Sequence, residues 1–156
     1  MEFMADHEEG RLFCRTLYPE NAALTKVGGP GKEFWANGKN WELAPETAEF
    51  ASNRYNGALF GNWRIEVSPG TASREDIFVH VIQTGDTSLA RMDAASLVEE
   101  DGMIGARIIT PDNIVKVTFA TDGEPAGHVA ISSGVNLFVD RDLATTVQPQ
   151  SGLAGN

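Results

Sequence analysis

The sequence predicts an all-β protein, an antiparallel β-sandwich resembling a jelly roll, with about nine to eleven short strands. Apolar and polar residues alternate over 63–67 and 115–119, which is typical of strands with one solvent-facing side. Asn-Gly or Asp-Gly pairs, which favour tight hairpin turns, separate apolar runs at 37–38, 101–102 and 122–123. No segment keeps a helical period over ten residues, so we expect strands throughout.

The strongest strand signals are the runs 62–68 and 76–83, which we expect to form the central, hairpin-like pair of the sandwich. The second run is apolar on both faces and rich in β-branched residues, which indicates a buried central strand. The other strands are predicted at 11–17, 22–27, 32–37, 39–43, 96–99, 103–110, 113–120, 127–132 and 135–140. The residues expected to line the space between the sheets are Trp63, Ile65, Val67, Phe78, Val115, Val117 and Phe119.

We predict a single sandwich domain over 11–144, between a flexible N-terminal segment, 1–10, and a flexible C-terminal tail, 145–156. Met1 to Phe3 resemble residues left by a cloning vector. The irregular segment 44–59 is expected to be a long surface loop, and loops of this length often bind ligands.

The formal net charge of -10 argues against nucleic acid and anionic membrane surfaces as partners, since both would be repelled. No apolar run approaches the roughly 20 residues of a membrane helix, and the polar, acidic start is unlike a signal peptide. Cys14 is the one cysteine, so no intramolecular disulfide is expected, and its apolar strand predicts a buried thiol.

The potential acid–base residues do not form a recognisable catalytic motif. The histidines lack metal-ligand spacing, so no metal and no cofactor are expected. His80, between two valines, is expected to be a hydrogen-bonded core histidine. Glu66, Asp76, His80 and Tyr55 are the candidates for catalysis if the protein acts on glycans. For Glu66 and Asp76 the simpler role is cross-strand ion pairing.

Aromatic and cationic residues suggest a glycan-binding surface. Trp35 and Trp41 flank the expected hairpin tip at 37–38, where indole rings could stack on sugars, although tryptophans are more often packed in a core. Arg54 and Tyr55 lie in the long loop, and Arg64 lies on the polar face of strand 62–68. Arginine binds carboxylates in a bidentate manner, which suits a uronate. The alternative for Arg64 is an ion pair with Glu66.

Two blocks of the chain resemble a known family. The stretches that carry the resemblance are Arg11–Phe13, Thr16–Ala22, Thr25–Trp35, Gly61–Pro69 and Asp76–Val81. They resemble the C-terminal part of the heparinase II/III-like polysaccharide lyases. The resemblance implies a terminal β-sandwich domain of enzymes that cleave uronic-acid polysaccharides by β-elimination. It implies no catalytic residue here, because that family's catalytic tyrosine and histidine belong mainly to a preceding helical toroid and first sandwich.

Three functions follow as expectations. The first is an accessory, glycan-associated β-sandwich, whose catalytic domain would lie elsewhere. The second is a small stand-alone polysaccharide lyase or glycoside hydrolase that uses Glu66, Asp76 or His80. The third is a carbohydrate-binding module that uses Trp35, Trp41 and Tyr55. The expected partner is a polysaccharide or oligosaccharide, and a homo-oligomer is compatible with the sequence. Related lyases are typically secreted or periplasmic, but the sequence itself assigns no compartment.

Overall fold

A computed structural model describes residues 1–42, 44–47 and 63–143 of the chain. These residues form antiparallel β-structure, which confirms the predicted all-β class. The strands are β1 (Glu2–His7), β2 (Gly10–Tyr18), β3 (Ala23–Gly28), β4 (Trp35–Ala36), β5 (Lys39–Asn40), β6 (Trp63–Ser68), β7 (Val79–Asp86), β8 (Ala94–Glu100), β9 (Met103–Ile109), β10 (Ile114–Ala120), β11 (Gly127–Ser133) and β12 (Asn136–Asp142). Within these described ranges, no helix is long and apolar enough to cross a membrane.

The chain divides into two compact units, whereas the sequence led us to expect a single domain over 11–144. The first unit combines Met1–Asn21 with Ser73–Asn156, and the second is Ala22–Ala72. The second unit therefore lies, in sequence, between strands β2 and β7 of the first.

The first unit is sandwich-like. It contains a three-stranded sheet, in the order β1-β2-β7, and a five-stranded sheet, in the order β12-β11-β10-β9-β8. Phe13 and Val81 of the smaller sheet cluster with Ala106 of the larger sheet and with Met92 from the β7–β8 connection. The partly buried residues packed against this cluster are Leu17, Val79, Leu89, Ala95 and Ile108. Burial of these apolar side chains away from water stabilises the packing of the two sheets.

Strand β1 occupies the segment that was expected to be flexible. Its residues are mostly exposed, so the sequence carries little hydrophobic signal there. Instead, β1 pairs with β2 along its whole length. Asp6 accepts a hydrogen bond from Arg11 at 2.7 Å, and Glu2 lies 2.6 Å from a guanidinium nitrogen of Arg15. Backbone pairing and these cross-strand ion pairs, rather than burial, hold the segment in the sheet.

The prediction that strands 62–68 and 76–83 pair with each other was wrong, and so was part of the predicted core. Strand β6 pairs with β3, and β7 pairs with β2 at the edge of its sheet, so β6 and β7 are not partners. Trp63, Phe78 and Phe119 are 49%, 36% and 51% exposed, so none lies in a closed inter-sheet space. Alternation identifies the two faces of a strand, but the face that becomes covered depends on distant parts of the chain.

The second unit contains the β3–β6 pair and the small β4–β5 hairpin. Asn37 and Gly38 connect β4 to β5 with φ values of 51° and 79°. Positive φ at both central residues is the geometry of a type I′ turn, which matches the natural twist of a two-residue hairpin. The predicted hairpin is therefore confirmed.

Cys14 is buried in β2, as expected, with 7% of its surface exposed. Burial raises the pKa of its thiol, because a thiolate is poorly solvated there. We therefore expect iodoacetamide at pH 8 to alkylate the native protein much more slowly than the protein in urea, as followed by intact mass. Equal rates in the two conditions would show that the thiol is accessible in the native state.

Candidate functional site

The β4–β5 hairpin presents Trp41 on the surface in a fixed orientation. The backbone N–H of Trp41 donates to the carbonyl of Phe34 at 3.2 Å, and its indole Nε1–H donates to the carbonyl of Ala36 at 3.0 Å. Asn40 also accepts a hydrogen bond from the backbone N–H of Phe34 at 2.8 Å. Even so, Trp41 remains 48% exposed. This exposure favours a surface role for Trp41 over the core role that tryptophans usually have.

Each tryptophan of the chain has a lysine ammonium over its ring. The distances from Nζ to the ring centroid are 4.1 Å for Lys26 and Trp63, 5.0 Å for Lys32 and Trp35, and 3.5 Å for Lys39 and Trp41. A cation in this position is attracted by the ring quadrupole, by about 0.5–1 kcal/mol at exposed sites. These lysines were not among the residues expected to bind a ligand. The signal that could have identified them is the composition of segment 22–72, which holds every tryptophan and three of the four lysines.

The acidity of the protein is confined to the first unit. Segment 22–72 contains five Lys and Arg and five Asp and Glu, so its formal charge is zero. The rest of the chain therefore carries the whole net charge of -10. An anionic ligand would be repelled less by the second unit than by the first.

Arg64 and Glu66 of β6 bind each other. A guanidinium nitrogen of Arg64 lies 2.7 Å from Oε1 of Glu66, and both side chains are exposed. Residues two apart share one face of a strand, so this pair runs along β6 instead of across strands as expected. An exposed pair of this kind contributes less than about 1 kcal/mol, and a ligand carboxylate could compete for Arg64.

The glycine-rich turn at 28–31 supports Trp63. A Cβ atom built on Gly29 would lie 2.5 Å from Cη2 of the Trp63 ring, and Gly29 has a φ of 89°. Only glycine accommodates both this close approach and this conformation without strain. The turn is therefore a packing element beside an aromatic ring, consistent with the absence of a phosphate-loop spacing in the sequence.

The remaining candidates for catalysis belong to different parts of the chain. Glu66 belongs to the second unit, and Asp76 and His80 belong to the first. Asp76 is exposed and precedes β7, which begins at Val79 instead of at 76. Arg54 and Tyr55 lie outside the described residues, so their proposed roles stay predictions.

His80 is exposed, so its predicted core position was wrong. Val81, the next residue of β7, joins the buried cluster, and alternation turns His80 to the opposite face of this edge strand. Its Nδ1 lies 3.1 Å from Oγ1 of Thr16, and its ring stacks on Phe78 with 5.8 Å between centroids. These neighbours orient the imidazole, and neither of them carries a carboxylate that could form an acid–base pair with it.

The first unit also has an open cleft of about 480 Å³, whose lining includes Tyr18 and Ile77. The β8–β9 hairpin contributes Glu99, Glu100 and Asp101 to the same lining. This acidic lining is unfavourable for a uronate and does not extend the candidate surface. Among the described residues, no group of three His, Cys, Asp or Glu could hold a metal ion.

The candidate site is therefore the exposed Trp41 ring with Lys39 at the β4–β5 hairpin. Trp35 is paired with Asn40, so the half-buried Trp35 ring, with Lys32 over it, belongs to the opposite face of the hairpin. In comparisons with known proteins, the chain matches no protein-family model and no curated protein.

Proposed function

We propose that the chain is an accessory, glycan-associated β-sandwich domain, resembling the C-terminal part of a heparinase II/III-like polysaccharide lyase, and that its second unit contacts the glycan. The observation that carries this proposal is the half-exposed indole of Trp41 on a tight hairpin. The flat apolar face of a pyranose stacks on such a ring, while its hydroxyl groups stay hydrated or bind nearby polar groups.

The rigidity of the hairpin supports binding. The Ala36 carbonyl fixes the indole N–H of Trp41, and the type I′ turn fixes the two strands. A preorganised ring loses little conformational freedom when a ligand binds, so more of the interaction energy appears as affinity. Trp35 lies on the opposite face of the same hairpin, so its partly buried ring does not extend the Trp41 surface.

The geometry favours binding over turnover. Glu66 is held by Arg64, and the His80 ring is held by Thr16 and Phe78. Neither residue faces a described partner with which it could share the acid and base roles of glycan cleavage. A stand-alone enzyme would therefore require further catalytic groups, whereas an accessory glycan-binding role would not.

We expect Trp41→Ala to weaken polysaccharide binding by about tenfold or more, because exposed aromatic anchors dominate such contacts. Affinity electrophoresis in gels containing polygalacturonate, its methyl ester or neutral galactan gives the measurement. Phe138→Ala is the matched control, since it removes a 62% exposed aromatic side chain from the first unit.

Two results would contradict the proposal. If none of the polymers retards the wild-type protein, the domain does not bind these glycans. If Trp41→Ala and Phe138→Ala lose the same amount of affinity, Trp41 does not contact the polymer. Incubation with the same polymers, read for unsaturated products and for new reducing ends, tests the enzyme alternative. Formation of product in either assay would show a catalytic role in place of the accessory one.

A further inference from the structure

We infer that Lys39 is a specificity-determining residue: its ammonium covers one face of the Trp41 ring and makes sugar stacking there conditional on a carboxylate in the ligand. This inference rests on the proposed glycan contact of the second unit. It goes beyond that contact by assigning the choice between charged and uncharged sugars to a single side chain.

The ammonium is held over the ring by local geometry. Nζ of Lys39 lies 3.5 Å from the Trp41 ring centroid, the shortest of the three Lys–Trp distances. The two residues are separated by one position at the end of β5, and extended backbone directs alternate side chains to the same side. The ring is not free to turn away, because its Nε1–H is bound to the carbonyl of Ala36.

A neutral sugar and a carboxylated sugar meet this covered face differently. A neutral pyranose has to displace the ammonium before it can stack, which forfeits the cation–π attraction. A carboxylated pyranose can move the ammonium to the ring edge and keep it as a counter-ion, so part of the cost is recovered. Because segment 22–72 has no net charge, this local cation is not reinforced by a general positive field. Lys32 over Trp35 repeats the arrangement at 5.0 Å, where the attraction is weaker.

The test compares two polymers with the same backbone, polygalacturonate and its fully methyl-esterified form, against wild-type protein and Lys39→Gln. Glutamine keeps a polar side chain but loses the charge. We expect affinity for polygalacturonate to fall and affinity for the ester to rise, each by about two- to fivefold, which corresponds to an exposed cation–π interaction.

Lys116→Gln is the matched control. It makes the same substitution and the same change in net charge, but on β10 of the first unit, where Lys116 is paired with Glu100. This variant should leave the ratio of the two affinities at the wild-type value. Circular dichroism of each variant verifies that the fold is kept.

The outcomes separate the two proposals. An unchanged affinity ratio in Lys39→Gln, or an equal fall for both polymers, would overturn the selectivity role, while the glycan contact would still stand on the Trp41→Ala result. Wild-type protein that binds neither of these polymers nor neutral galactan would contradict the proposed function and this inference together, whereas binding to galactan alone would contradict only this inference.

Discussion

Replacing Gly105 with alanine should destabilise the protein by about 3 kcal/mol or more, at the upper end of what overpacking costs. Gly105 is buried in β9, opposite Thr118 of β10. A Cβ atom at this position would lie 1.9 Å from the carbonyl oxygen of Val117 and 2.7 Å from Cα of Thr118. Both contacts involve backbone atoms, so no change of side-chain rotamer can relieve them, and the two strands would have to separate. Urea unfolding followed by circular dichroism measures the loss.

Gly10→Ala is the control for this substitution. A Cβ atom at Gly10 would approach only the carbonyl oxygen of His7, at 3.3 Å. Neither glycine has a positive φ, so alanine can adopt the native backbone conformation at both positions. The change in the entropy of the unfolded chain is the same for the two variants, because both replace glycine with alanine. We expect Gly10→Ala to change the free energy of unfolding by less than about 1 kcal/mol. Equal stability of the two variants would show that β9 and β10 are not packed as described.

Phe13→Ala should cost about 3–5 kcal/mol, the usual price of removing a buried aromatic side chain. Phe13 is 4% exposed and belongs to the cluster that joins the two sheets of the first unit. Its truncation would leave a cavity between β2 and β9, because neighbouring side chains collapse only partly into such a space.

Phe119→Ala is the matched comparison, because it makes the same chemical change at a side chain that is 51% exposed. Phe119 buries less apolar surface on folding than Phe13 does, so a loss below about 1.5 kcal/mol is expected. The alternation in the sequence had placed Phe119 in the core, and the two substitutions decide between that interpretation and the structure. Similar losses of stability at the two positions would contradict the described core.

Most strands of the described chain could be predicted because their signals are local. The alternation of 63–67 matches β6, and Asn37-Gly38 matches the turn between β4 and β5. Strand pairing could not be predicted in the same way. β6 and β7 follow one another in the described chain, but each pairs with an earlier strand. Such pairings depend on contacts between distant residues, which no short pattern records.

The same distinction holds for the candidate site. Lys39 and Trp41 are close in sequence, so their contact could have been predicted once the hairpin was recognised. The contact between Lys26 and Trp63 could not, because it depends on the register of β3 and β6. That register places Lys26 opposite Ile65 and therefore diagonal to Trp63, within reach of a long side chain.

The chain order of the first unit has an evolutionary consequence. Tyr18 at the end of β2 is paired with Val79 at the start of β7, so the polypeptide leaves the sheet and re-enters it at neighbouring positions. In sequence, Ala22 to Ala72 is thus an insertion between two strands that would otherwise form an ordinary β-hairpin. Lengthening such a connection costs only about 0.6 kcal/mol per doubling. A segment of this kind can be lost, gained or exchanged while the host sheet keeps its register, so its sequence can evolve separately from the scaffold.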